Sequence, residues 1–514
     1  MATMVSSIPE DEKGMRCGDI VPNAAAAPAT VSGDVERMMG ALVLSHRWLG
    51  IAFCLLFAMW FATGIVMHFV PFPSLTEAER FSGLAPVERG ETLIAISDVA
   101  AASGISDATR VRLIQRSDGP VYIVSGSSRV RALRASDGRD ASVTSADVAL
   151  AIAQDHAESR GLDAARAAIV ARSVYDQWSV PNSFDRHRPL FRVALGDAAR
   201  TEVYVSSLTG EVVLDTTRSE RGWNLAGSVL HWIYPTVLRS NWALWDRVVW
   251  TLSLLASIAA LLGAALGLVR ITRRGRLIGS PYRGWHALHH LIGLAATVFV
   301  LTWIFSGWLS MDHGLLFSRG QLDPAEAGVT NASPDWAVAS SLNQQPISSS
   351  AREVEWFAFN GKVYRRDRIG LGSQTLIKAG GSPPDEPKGF LSAREIQDLS
   401  ARLATGCGPP SVLADDDDYP AESVVGGAPV YRSRCGELWF DIDGADGSVL
   451  QRLDASRRAY RWFYSALHTL DFPVLMAHPH LRDVLIVGLC ALGLVFSVTG
   501  IVIGWRRLRS TFAA

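Results

Sequence analysis

The chain has 514 residues, 48% of them hydrophobic, and a formal net charge of −1. The length excludes a single small domain, the apolar fraction excludes an ordinary soluble composition, and the balanced charge excludes a basic surface for nucleic acid.

Four stretches are long enough to cross a hydrocarbon core and carry no Asp, Glu, Lys or Arg: Trp48 to Val70, Val248 to Val269, Leu291 to Met311 and Val484 to Trp505. In chain order, residues 1–37 are expected to form a disordered cytoplasmic tail holding the thiol of Cys17, and residues 38–70 the first span. That span reads as a retained anchor, because its apolar run is too long for a signal peptide and no A-x-A-like site precedes Pro71. Residues 71–240 read as an extracytoplasmic α+β domain, with strands at Val121 to Val124 and Glu202 to Ser206 and a helix at Ser145 to Gln154. A hairpin over Thr201 to Leu214 turns near Thr209-Gly210.

The second span, 241–270, leads into a loop, 271–285, where Arg273, Arg274, Arg276 and Arg283 follow Arg270 without an acidic residue. Such a loop faces the cytoplasm, so both termini lie there too, in agreement with Arg506, Arg507 and Arg509 in the closing segment 506–514. After the third span, 286–311, a second extracytoplasmic domain occupies residues 312–477, with a hairpin over Glu437 to Leu450 that turns through Asp443-Gly444 and Asp446-Gly447. Cys407 and Cys435 share this oxidising compartment and are expected to form a disulfide, whereas Cys54 and Cys490 lie inside spans. The acidic run Asp415 to Asp418 reads as a solvated loop, and residues 478–505 make the fourth span.

The chain repeats itself. An offset of 243 residues lays the first span over the third without a gap, aligning His46 with His289, Gly50 with Gly293, Trp60 with Trp303 and Gly64 with Gly307. An offset of 237 aligns His231 with His468, Asp246 with Asp483, Gly263 with Gly500 and Gly267 with Gly504. Two copies of span, domain and span share one orientation, related by an axis along the membrane normal. The fold class is therefore a mainly α membrane protein: a four-helix bundle of two parallel repeats, with two extracytoplasmic α+β domains.

A lone histidine near a membrane is ordinarily an interfacial or helix-bridging residue. Four at repeat-related places are different, since the axis brings His46 opposite His289 at one mouth of the bundle and His231 opposite His468 at the other. Two imidazoles facing one another from different helices are what a bis-histidine haem requires. Glycine admits a flat macrocycle against a helix. Gly64 stands five helical turns, about 27 Å, beyond His46 on the same face, and Gly307 repeats this relative to His289. Gly50, Gly293, Gly263 and Gly500 complete the expected haem-packing set, although close packing between helices explains glycines as well.

Trp60 and Trp303 read as packing or as a bridge between two haems. His68 and His313 are alternative outer ligands or substrate contacts, and His286 and His290 flank His289 as alternative inner ligands. His478-Pro479-His480 reads as an interfacial loop. Pro235 and Pro473 lie between His231, His468 and their spans, so helical arithmetic does not carry those two histidines to a depth.

His46-Arg47-Trp48-Leu49-Gly50, Thr63-Gly64, Leu230-His231, His289 with Gly293, Leu467-His468-Thr469, and Thr499-Gly500 followed by Trp505-Arg506-Arg507 together resemble the PepSY-associated transmembrane family. Glu202 to Val205 with Thr209 to Val213 is similar to the terminal hairpin of a PepSY module, while Phe472-Pro473 departs from the family's glycine-rich stretch. The resemblance covers nearly the whole chain beyond residue 38. It implies a bacterial inner-membrane location and PepSY-like outer domains. For the haem-containing reductases of the family it implies b-type haem, of which the two histidine pairs lead us to expect two, a ferric siderophore or other iron chelate as substrate, and a membrane ferric-chelate reductase activity.

No Rossmann or flavin fingerprint accompanies the spans, so the expected electron donor is a cytoplasmic protein or a quinol. The competing reading is a membrane-anchored PepSY binding or regulatory protein without redox activity. A transporter ranks last, because the four charge-free stretches hold no intramembrane carboxylate or lysine.

Overall fold

The computed structural model describes residues 29–88, 93–274, 277–380 and 387–512. Four of its helices are long and apolar enough to cross a membrane. The first runs over Ala29–Phe69, the second over Trp242–Val269, the third over Trp285–Met311 and the fourth over Pro479–Phe512. All extend past the charge-free stretches, since hydropathy marks lipid contact whereas helix propensity carries a helix on into water. The first begins inside the segment expected to be a disordered tail, because Glu36, Arg37, Met38 and Met39 are good helix formers. Cys17 lies outside the described residues.

The four helices close a ring, the first and third each packing against the second and fourth. The first and third therefore stand diagonally across from one another. Between them Phe53, Phe61, Ala296, Val300, Trp303 and Cys490 form the bundle's core. The link between the second and third helices contains a hairpin, Thr272–Arg274 against Leu277–Gly279.

Outside the bundle the first connecting segment contributes β1 (Arg110–Arg116), β2 (Gly119–Ser125) and β3 (Val130–Arg134), then β4 (Ala168–Ser173), β5 (Leu190–Ala194), β6 (Glu202–Ser206) and β7 (Val212–Thr216). The second contributes the same succession. We number its strands β8 (Glu353–Phe359), β9 (Lys362–Gly370), β10 (Ser373–Lys378), β11 (Ser411–Val412), β12 (Val430–Cys435), β13 (Leu438–Asp443) and β14 (Val449–Leu453). The expected hairpins are β6–β7, turning at Gly210 with φ +70°, and β13–β14, turning at Gly447 with φ +79°. The expected helix spans Ala146–Ser159, capped by Ser145, whose side chain accepts from the Asp147 N–H. Cys407 and Cys435 are joined by a disulfide.

One expectation is corrected. The two connecting segments do not fold as separate domains, because β1 pairs antiparallel with β8 and gives one six-stranded sheet in the order β10, β9, β8, β1, β2, β3. The register centres on Arg112 opposite Glu355, which are 243 residues apart, the same offset that lays the first span over the third. An unpaired β1 would present a bare edge of N–H and C=O groups, and its counterpart supplies the match. Strands β4–β7 and β11–β14 form two further four-stranded sheets.

Alternation along β1 and β8 sorts their side chains onto two faces. Val111, Leu113, Val354 and Trp356 face an apolar core shared with Ile96, Val99 and Ala339. Arg110, Arg112, Glu353 and Glu355 face the other way, into a buried ion network. Glu353 lies 2.9 Å from Arg80, 3.1 Å from Arg368 and 3.3 Å from Arg112. Burial alone pushes its carboxyl up, but those three guanidiniums hold it well below the usual carboxylate range. Glu353→Ala removes the buried carboxylate that Arg80, Arg112 and Arg368 share, leaves these three guanidiniums only Glu77 and Glu211, and should lower stability by about 3 kcal/mol. The check is the thermal unfolding midpoint of detergent-solubilised protein, which should fall much less in Glu437→Ala, whose carboxylate is exposed.

Candidate functional site

The glycines expected beside the histidines do lie beneath them. A Cβ added to Gly263 would stand 2.7 Å from Cε1 of His46, and one on Gly500 would stand 3.6 Å from Cε1 of His289. Toward the sheets, the corresponding distances are 3.9 Å from Gly64 to Cε1 of His231 and 3.2 Å from Gly307 to Cε1 of His468. Each imidazole thus rests on a neighbouring helix where the side chain is missing. Gly50 faces open space, whereas Gly293 is covered by Phe496, whose ring stacks on His289 at 4.7 Å between centroids.

His231 and His468 reach this depth by a device that helical arithmetic does not anticipate. Each ends a short helix containing a π-helical turn, Leu225–Val229 before His231 and Arg461–Ala466 before His468. Such wide turns shift the phase of the residues that follow and recur at functional sites. Pro235 and Pro473 then start the next short helices, beyond the histidines rather than within their helices. Trp60 holds the first of these segments by donating its indole N–H to the His231 carbonyl at 2.9 Å.

All four rings are tied through Nδ1. Nδ1 of His231 lies 2.9 Å from the Thr63 hydroxyl, Nδ1 of His468 lies 3.1 Å from the Ser306 hydroxyl, and Nδ1 of His289 lies 2.8 Å from the Thr499 hydroxyl. A hydroxyl has one proton to give. Thr63 donates it to the Met59 carbonyl, Ser306 to that of Trp303 and Thr499 to that of Phe496, at 2.7, 3.1 and 2.6 Å. In the arrangement that uses both contacts, each hydroxyl accepts from the imidazole and the ring proton sits on Nδ1. His46 reaches the same state by donating Nδ1–H to the Ala259 carbonyl at 3.2 Å, an oxygen that can only accept. In every case Nε2 keeps its lone pair, which is the nitrogen a neutral imidazole offers to a metal.

The His231 and His468 ring centroids are 6.4 Å apart. His46 and His289 line a cavity of about 660 Å³, together with Gly50, Gly263, Gly293 and Gly500. Among the described residues no three His, Cys, Asp or Glu side chains gather as a metal site. A haem asks the protein for only two axial ligands, because the macrocycle supplies the other four.

The remaining histidines differ. Both nitrogens of His290 are engaged, Nδ1 with the Ser280 hydroxyl at 3.0 Å and Nε2 with the Gly267 carbonyl at 2.9 Å, so its ring ties the third helix to the second. His286 lines the cavity beside His289. His68 pairs with Asp483 at 2.8 Å, and His313 pairs with Asp246. These two carboxylates are 237 residues apart, the offset that aligns the second span with the fourth, so the His–Asp contacts match although the histidines themselves do not align. Trp303 packs with Phe61 and Phe299 in the bundle core.

The tethering hydroxyls are the residues that sequence reasoning passed over. Their signal was present: Thr63-Gly64, Ser306-Gly307 and Thr499-Gly500 each put a hydroxyl directly before a glycine inside an apolar run. The fourth such position is Leu262-Gly263, without a hydroxyl, and there the histidine turns to a backbone carbonyl instead.

None of the curated proteins compared with this chain matches it. The sequence model of one family, the PepSY-associated TM region, matches residues 43–507, which takes in the second and third long helices, most of the first and fourth, both sets of strands and the four tethered histidines. This chain belongs to the family of PepSY-associated transmembrane proteins.

Proposed function

We propose that this protein carries electrons across a bacterial inner membrane through two b-type haems, one held by His46 and His289 and the other by His231 and His468, and reduces an extracytoplasmic ferric siderophore or similar chelate. The observation that carries this reading is a shared arrangement: four histidines, which the two offsets pair, are each tied through Nδ1 and each rest their ring over a glycine. His231 and His468, whose ring centroids are 6.4 Å apart, would hold one haem between them. When bound, each haem supplies one-electron chemistry at an iron with two imidazole ligands.

The chain's own residues orient the imidazoles, keep water out with apolar helix faces, and set the direction of transfer. Arg270, Arg283, Arg506, Arg507 and Arg509 cluster at the His46 and His289 end, which the positive-inside rule assigns to the cytoplasm. The donor, a protein or a quinol, engages that end, and the sheets form the acceptor's side. The substrate is Fe(III) held by hard oxygen ligands; gaining one electron makes it Fe(II), which such ligands hold less firmly.

Full-length protein purified from haem-replete cells should show a reduced b-type α band with two haems per chain. Chemically reduced protein should be reoxidised by a ferric hydroxamate while a ferrous chelator traps the product. A colourless preparation would leave the anchored binding or regulatory reading in its place.

A further inference from the structure

The cavity at the His46 and His289 end has a feature that axial ligation does not use. Its walls are apolar, its rim includes Arg47, Arg506 and Arg507, and no carboxylate lines it. Among the described residues none of these arginines is paired with Asp or Glu, and Arg506 lies over the Trp285 ring at 5.8 Å. Arg47 directly follows His46. Arg506 and Arg507 stand six and seven residues beyond Gly500, about 10 Å along the helix from the spot that His289 covers. The charge bias of membrane loops accounts for arginines at this end. It does not account for three of them rimming the same cavity as two tethered histidines.

An apolar slot with a cationic rim selects a flat apolar body with a negative edge. We propose that Arg47, Arg506 and Arg507 form a carboxylate-binding rim for the ligand of this cavity; on the haem reading above, on which this inference rests, they receive the two porphyrin carboxylates. Guanidinium groups suit this because they meet a carboxylate with two parallel N–H donors and stay charged throughout the physiological range. The same chemistry would also take the phosphate of an anionic lipid, so the test must separate the two.

Full-length protein carrying His231→Ala, in membranes from haem-deficient cells, would be titrated with haemin and with haemin dimethyl ester, read by the Soret band that His289→Ala removes. The parent should bind haemin roughly tenfold or more tighter than the ester, in line with a few charge-assisted hydrogen bonds. Replacing Arg47, Arg506 and Arg507 by Gln should reduce that preference to about twofold, and the Lys triple variant should restore part of it. A parent without preference, or a preference unchanged in the Gln variant, overturns the rim while leaving the haem reading intact. Unchanged preference with loss of co-purifying anionic phospholipid in native mass spectrometry assigns the arginines to lipid and equally overturns the rim. Failure of the parent to take up haemin at all overturns the haem reading itself.

Discussion

Removing either member of a histidine pair should take away one haem and leave the other. His46→Ala or His289→Ala should lower the haem content from two per chain toward one, with the remaining spectrum that of the His231 and His468 site. His231→Ala or His468→Ala should give the reciprocal result and abolish reduction of an external ferric chelate, while the cytoplasmic-side haem stays reducible by its donor. The effect is large because a single remaining imidazole cannot hold a low-spin bis-histidine iron. Pyridine haemochrome assay and low-temperature electron paramagnetic resonance read stoichiometry and spin state independently. Two haems with unchanged low-spin signals in all four variants would exclude these pairs, and the two-haem assignment would then need other ligands. His290 is a poor substitute because both of its ring nitrogens are already bonded. Loss of chelate reduction in His68→Ala with both haems retained would place the His68–Asp483 pair at the substrate surface instead.

The second large effect is expected from the glycines, and it is graded. Gly263→Ala puts a methyl group 2.7 Å from His46, a distance at which the ring must move, and Gly307→Ala puts one 3.2 Å from His468. Gly500→Ala and Gly64→Ala leave 3.6 and 3.9 Å, ordinary contact. An overpacked core position costs about 1–3 kcal/mol, which at a ligand position falls on the ring and its hydrogen bond. Gly263→Ala should therefore lose or convert to high spin most of the haem at its end, Gly307→Ala part of it at the other, and the last two variants little. Equal loss in all four would mean that the glycines act through general helix packing and not through the imidazoles. The tethers give a milder companion result: Thr63→Val, Ser306→Ala and Thr499→Val should shift the midpoint potential of their own site, and Thr63→Ser and Thr499→Ser should restore it, because the Nδ1 partner tunes the basicity of Nε2.

Much of this architecture was legible in the sequence because it depends on local composition. The four long helices follow from apolar runs that satisfy their own backbone hydrogen bonds, and the β6–β7 and β13–β14 hairpins follow from Gly210 and Gly447, whose positive φ other residues resist. The likeness of the first and third spans was also visible, since the offset of 243 residues holds without a gap from His46 to Gly64. With it came the pairing of histidine with glycine, because residues a whole number of turns apart share a helix face.

Other features exist only in three dimensions. The pairing of β1 with β8 joins strands about 240 residues apart, and no local pattern in either strand names its partner, which is why two domains were expected where one shared sheet is found. The depth of His231 and His468 depends on π-helical turns whose phase shift a 3.6-residue count misses. The tautomers depend on where each tethering hydroxyl sends its proton, to a carbonyl of its own helix or to the imidazole that packing brings against it. Sequence alone determined which side chains can offer a lone pair and on which helix faces they stand; only the packed bundle decided which nitrogen offers it, because a proton's place on an imidazole is set by the neighbour it meets.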